Sequence, residues 1–93
     1  MTRYYIFKKD NLTGRTIHIC NGSHDSEHEC WIHWQSYLYG FMDGAFAILG
    51  RENFQMMPGS RPLSFLFSVD GKMNVEYFML LDEEGVNLIK EIA

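Results

Sequence analysis

No repeat, low-complexity tract or linker divides the 93 residues of this chain. No apolar run approaches the roughly 18–20 residues of a membrane-spanning helix. The N-terminal stretch M-T-R-Y-Y-I-F-K-K-D lacks the apolar core of a secretory signal. Cysteine is scarce as well: Cys20 and Cys30 are the only two, too few for a disulfide scaffold. These absences predict one reduced, cytoplasmic domain over residues 1–93. The motifs of common catalytic sites are also missing: no G-x-S-x-G, P-loop or H-E-x-x-H occurs. The expectation is a protein that is not an enzyme.

Positive charge is in short supply. Eight basic residues face twelve acidic ones, and the imbalance is uneven along the chain. Residues 1–20 carry four basic side chains and one acidic, whereas residues 21–93 carry four and eleven. An acidic body opposes nucleic-acid phosphates and suits a basic protein partner, including one whose own ligand is nucleic acid.

What the chain has in quantity is core-forming material: apolar residues are 46% and aromatics 15% of the total. Tyr4–Lys8 and Arg15–Cys20 read as strands joined by a polar loop at residues 10–14, and Asn21-Gly22-Ser23 reads as a strand break. Ile17 and Ile19 share one face of the second strand, which sends His18 and Cys20 to the other. A long helix spans about Ser26 to Gly50, opened by the capping box Ser26–Glu29. Its apolar arc is Trp31, Trp34, Leu38, Phe41, Met42, Ala45, Ile48 and Leu49. Residues 51–61 read as an irregular connection. Alternation over Leu63–Val69 and Met73–Leu81 marks a hairpin around Asp70-Gly71, whose sequence favours a type I′ turn. A short helix follows, with Asp82 as its cap and Val86, Ile89 and Ile92 inward. The predicted fold is α+β in the order ββαββα: an antiparallel sheet with one long and one short helix packed on it.

Two patterns suggest function. All four histidines and both cysteines lie between His18 and His33, and imidazole and thiolate are the ligands zinc selects. The spacings make Cys20, His24, Cys30 and His33 the ligand set a metal would use, with zinc the one cofactor the chain would admit. Geometry opposes it, because Cys20 faces away from the helix unless the chain turns back through Asn21-Gly22-Ser23. The second pattern lies on the polar side of the long helix, where Ser36, Gly40 and Gly44 are small. Two glycines inside a helix cost about 2 kcal/mol relative to alanine, which implies close approach of another backbone. With the acidic helix start Asp25, Glu27 and Glu29, and with Tyr37 and Asp43, these residues form the candidate partner-binding surface. The functional expectation is a small acidic binding protein, of the inhibitor or immunity type found in phage anti-defence or toxin neutralisation, that occludes a larger basic partner. It would contact neither nucleic acid nor membrane directly, and its small-residue stripe would also suit a homodimer. The alternative is a zinc-binding or pH-sensing domain built on residues 18–33.

Overall fold

A computed structural model describes all residues, Met1–Ala93. Five strands and two helices follow one another as β1 (Thr2–Asp10), β2 (Arg15–His24), α1 (Glu27–Leu49), β3 (Phe54–Pro58), β4 (Ser64–Val69), β5 (Met73–Leu81) and α2 (Asp82–Ile92). The strands form one antiparallel sheet in the order β2-β1-β5-β4-β3. The α+β class and the long and short helices are as the sequence predicts, and the edge strand β3 adds one element to the predicted order.

Period-two alternation sends residues of each strand to opposite faces, and each face receives one helix. Tyr4, Ile6, Phe67, Val75, Tyr77 and Met79 pack against Cys30, Trp34 and Leu38 of α1. Tyr5, Phe7 and Phe78 form the second core with Leu80 and with Leu88, Ile89 and Ile92 of α2. The apolar residues Phe78 and Leu80 on the outer side of the hairpin are therefore covered from within the domain. Gly85 explains how α2 comes so close: a methyl group there would meet the Tyr5 ring, with Cγ at 2.6 Å.

Helix α1 starts where its capping box places it. The Ser26 hydroxyl accepts from the Glu29 N–H at 3.2 Å. Its C-terminus is closed by Gly50, whose N–H donates to the Phe46 carbonyl at 3.0 Å. The predicted arc is correct through Ala45 and fails at the last turn, where Ile48 is 83% exposed.

Five local expectations are corrected. First, Asn21-Gly22-Ser23 does not end β2; these residues pair with Tyr5, Tyr4 and Arg3. Gly22 is there because the Tyr4 ring lies across it, leaving no room for a side chain. Second, Asp82 does not cap α2. Leu81 takes the N-cap position with no side-chain hydrogen bond, and the Asp82 carboxylate accepts from the Arg3 N–H at 3.0 Å instead. Asp82 holds φ 49°, a left-handed conformation costing a non-glycine residue about 1 kcal/mol or more. Third, the Asp70-Gly71 turn is not type I′, which needs two residues at positive φ. Only Gly71 has one, in a turn closed by the Lys72 N–H to Val69 carbonyl bond at 2.9 Å. Fourth, Val86 is exposed, and Leu88 packs inward with Ile89 and Ile92. Fifth, residues 54–58 are a strand, pairing Met56 with Phe67 and Phe54 with Val69.

The β3 edge is blunted by its own chemistry. The Gly59 N–H donates to the Ser64 carbonyl at 3.2 Å, which sets the ladder phase so that Phe54, Met56 and Pro58 face the open side. Phe54 uses its N–H on the Arg51 carbonyl at 3.2 Å, and proline has none. Met56 alone is left with a free outward donor, which discourages strand addition. The chain from Gly59 to Leu63 then folds over β4 and β5. It is held by buried Glu76, whose carboxylate accepts from the Ser60 N–H and hydroxyl, each at 2.8 Å.

Candidate functional site

The chemistry-bearing residues occupy one end of the sheet, where β1 begins. Thr2 pairs with His24, the last residue of β2, and Tyr4 pairs with Leu81, the last of β5. Both helices start there. Their first turns and the preceding junction gather Asp25, Glu27, Glu29, Asp82, Glu83 and Glu84, with Arg3 and Lys90 beside Asp82 and Glu83, and Arg61 beside Glu84, as the fewer basic side chains. Acidic residues favour helix N-termini, whose free N–H groups carry partial positive charge. Their crowding also makes this end strongly negative, while Lys8, Lys9, Arg15 and Lys72 lie toward the opposite end of the sheet. The uneven charge along the chain thus becomes a gradient along the strands.

Tyr4 is the platform of this end. It is buried, and its ring stacks on His24 at 5.3 Å and meets His33 at 5.2 Å. The two imidazole centres are 5.5 Å apart, and His24 Nδ1 lies 3.8 Å from Glu29 Oε2. Glu29 and His33 stand one turn apart on α1, so their side chains are neighbours.

The cysteines lie deeper. A bulge in β2 changes the register from Ile6–Cys20 to Phe7–His18 and leaves Ile19 without a partner. The extra residue reverses the facing of the strand. Cys20 therefore packs on the α1 side with Ile19, whereas His18 lies against Phe7 at 5.3 Å on the α2 side. No backward turn is needed to bring Cys20 to the helix face. The same straight strand, however, carries His24 four residues onward, about 13 Å at the rise of an extended chain. That exceeds the span of two ligands on one zinc ion.

The quartet Cys20, His24, Cys30 and His33 is consequently not assembled, and no group of three or more His, Cys, Asp or Glu side chains is placed to hold a metal ion. Cys30 is fully buried in the core, one helical turn before Trp34. Both thiols are free. Burial pushes each above the usual thiol range, and for Cys30 the carboxylates of Asp82, Glu27 and Glu29 add to the effect. Burial likewise raises the phenols of Tyr4, Tyr37 and Tyr77. A thiol held protonated is a poor nucleophile, so Cys30–His33 lacks an activated thiolate.

This has a measurable consequence. Native Cys30 should resist iodoacetamide at neutral pH and react fully only after unfolding, as followed by intact mass. Groups whose folded pKa is raised stabilise the fold below their unfolded pKa and lose that contribution as pH rises through the folded value. Stability measured by urea should therefore fall in alkali, beginning near the free thiol range of about 8.5.

The second candidate surface is the outward side of α1. Ser36, Gly40, Asp43 and Gly44 are exposed, as are Asp25, Glu27 and Glu29 at its start. Nothing lies within 4 Å of the space a side chain would fill at Gly40 or Gly44. No other element of the domain takes advantage of either glycine. Beside them Gly40, Gly44, Ile48, Leu49 and Met73 border an apolar groove of about 370 Å³. Tyr37 departs from the proposed surface: it is half-buried, stacked on Trp34 at 6.1 Å and set against Tyr77 at 6.1 Å. Tyr39, which the sequence places on the helix flank as an extension of this contact area, is 62% exposed on the same side, and Ile32, which sequence reasoning left out, is 50% exposed there. The step of four residues from Ile32 to Ser36 was the available signal.

Comparison with protein-family models, curated proteins and solved structures finds no match. The functional reading therefore rests on the residues themselves. No helix is long and apolar enough to cross a membrane.

Proposed function

We propose that this chain is a non-enzymatic binding protein that docks the outer side of α1, with its acidic start, on a larger basic protein and acts by covering it. The observation that carries this reading is the bare surface at Gly40 and Gly44. Two residues that weaken the helix by about 1 kcal/mol each have no use inside the domain. A partner backbone drawn close to the helix gives them one.

The surroundings agree. Ile32 and Tyr39 present large apolar area among polar neighbours, the composition of an interface centre. The carboxylates of Asp25, Glu27 and Glu29 lie at one end of the same helix, where they would steer a positively charged partner and set its orientation. Occlusion needs no reactive group, and the protonated thiols provide none. An inhibitor or immunity-type role suits a domain of this size and charge. The homodimer fits less well, because Asp43 beside the glycines would meet its own copy across a two-fold axis.

The test is capture from the source cell on the immobilised full chain, followed by kinetics with the purified partner. A basic protein should bind, and its association should slow as salt rises. Replacing Asp25 and Glu27 by Lys should lower the on-rate by about tenfold or more, while Lys8→Glu should not slow it. A captured protein that binds the Asp25→Lys, Glu27→Lys chain at the same rate, with no salt dependence, would refute the charge-steered mode.

A further inference from the structure

We propose that two copies of this chain pair through the free edge of β2, antiparallel to each other, and join their sheets into one. The two edges of the sheet are unlike. Strand β3 offers a single outward donor at Met56, whereas the ten-residue β2 offers a row of them.

The ladder phase identifies that row. The Asn11 N–H donates to the Asn74 carbonyl at 2.9 Å, and the Arg3 N–H to Asp82 at 3.0 Å. Odd-numbered residues of β1 therefore turn their backbone groups toward β5, and even-numbered ones toward β2. Tyr4 pairs with Gly22, Lys8 with Ile17 and Asp10 with Arg15. That leaves the N–H and C=O groups of Thr16, His18, Asn21 and Ser23 pointing away from the sheet. No loop or cap hydrogen bond of the domain reaches them, and His18, Asn21 and Ser23 are exposed. From Arg15 to His24 the strand contains no proline, lysine or carboxylate, the residues that commonly protect an edge.

The spacing of the four residues selects a second copy of the same strand as the occupant. Centred between Ile19 and Cys20, an antiparallel pairing sets Thr16 opposite Ser23 and His18 opposite Asn21, and symmetry repeats both pairs. Every outward donor and acceptor of both edges is then used. The bulge adds its extra residue at the axis in both copies, so the ladders stay in step on either side of it. Charge agrees with this direction. Arg15 falls opposite His24 of the second copy, beside that copy's Asp25. On the α1 side of the sheet, Lys8, Asp10, Thr13, Arg15 and Ile17 border a hollow of about 550 Å³ that no residue of α1 lines. A two-fold axis perpendicular to the sheet brings the acidic start of the second copy's α1 to this corner. The charge gradient along the strands thus meets its own reverse, basic end to acidic end, on both sides of the axis.

This dimer leaves the outward glycines of α1 bare in both copies and does not depend on the partner proposed above. Its test uses the purified chain alone. Sedimentation over a range of concentrations should show a monomer–dimer equilibrium, and amide exchange at Thr16, His18, Asn21 and Ser23 should slow as the dimer fills. His18→Lys, Asn21→Lys sets like charges opposite each other on both sides of the axis and should weaken dimerisation about tenfold or more. His18→Lys, Asn21→Asp sets opposite charges at the same positions and should restore it. Both residues are exposed, and circular dichroism would verify that each variant is folded. A chain that stays monomeric at millimolar concentration, a dimer indifferent to the two lysines, or a dimer broken equally by both variants would overturn the proposal.

Discussion

Trp34→Ala is expected to remove most of the stability of this domain. The side chain is fully buried between α1 and the sheet, next to Tyr37 and Phe65. Deleting a buried indole costs about 3–5 kcal/mol in transfer and cavity terms, against a total of about 5–15 kcal/mol for a typical domain. Trp34→Phe should behave otherwise. The indole Nε1–H is buried with no acceptor, and an unmet buried donor costs about 1–3 kcal/mol. Phenylalanine removes that donor while leaving a smaller cavity, so the two terms offset and the net loss should be about 1 kcal/mol or less. Urea unfolding of the two variants checks this directly. Similar losses for Ala and Phe would mean that the indole nitrogen is satisfied.

The second large effect is a difference in sign among three helical glycines. Alanine at any of them gains about 1 kcal/mol of helix propensity. At Gly40 and Gly44 nothing opposes the gain, since a methyl group there enters open space. Each substitution should stabilise the domain by roughly 0.5–1 kcal/mol. At Gly85 the same methyl meets Tyr5 Cγ at 2.6 Å and Cβ at 2.9 Å. Those atoms lie close to the backbone of a strand buried beneath α2 and cannot swing aside. Overpacking of this kind costs about 1–3 kcal/mol, which exceeds the propensity gain. Gly85→Ala should therefore destabilise the protein, although the residue looks like the same helical liability in all three cases.

How far this could be read from the sequence follows the range of the interactions. Helix α1 was legible to within a residue at each end, because Ser26, Glu29, Gly50 and the spacing of Trp34, Leu38 and Ala45 all act locally. The hairpin β4–β5 was legible for the same reason. Gly22 and Gly85 were not. Each looked like a breaker or a weak point, and each is needed because a tyrosine of β1, distant in sequence, lies against it. Strand β3 escaped notice because Phe54-Gln55-Met56-Met57-Pro58 has no clean alternation and is defined by its partner β4. The bulge at Ile19 carries no sequence signal, since it reflects a register adjustment between two strands. That one residue decides which side of the sheet receives Cys20. It also explains why the run of histidines and cysteines divides as it does, with His18 on one face, Cys30 in the core with the half-buried Cys20 packed against it, and His24 and His33 together at the end of the sheet.

The acidic start of α1 was visible as composition, but not its companion. Only the pairing of Tyr4 with Leu81 and of Thr2 with His24 brings the first turn of α2 to the same end. Lys8, Lys9 and Arg15 likewise came together at the opposite end only when the sheet paired the end of β1 with the start of β2.

The central claim is that the outer side of α1 is kept bare for a partner. The most direct measurement takes one protein, the Gly40→Ala, Gly44→Ala double variant, and determines both its unfolding free energy and its affinity for the captured partner. The account predicts opposite movements: stability should rise by about 1–2 kcal/mol, while affinity falls by about tenfold or more as two methyl groups hold the partner backbone away from the helix. A variant that is more stable and binds as tightly as the parent would show that the glycines face no partner and would contradict the account.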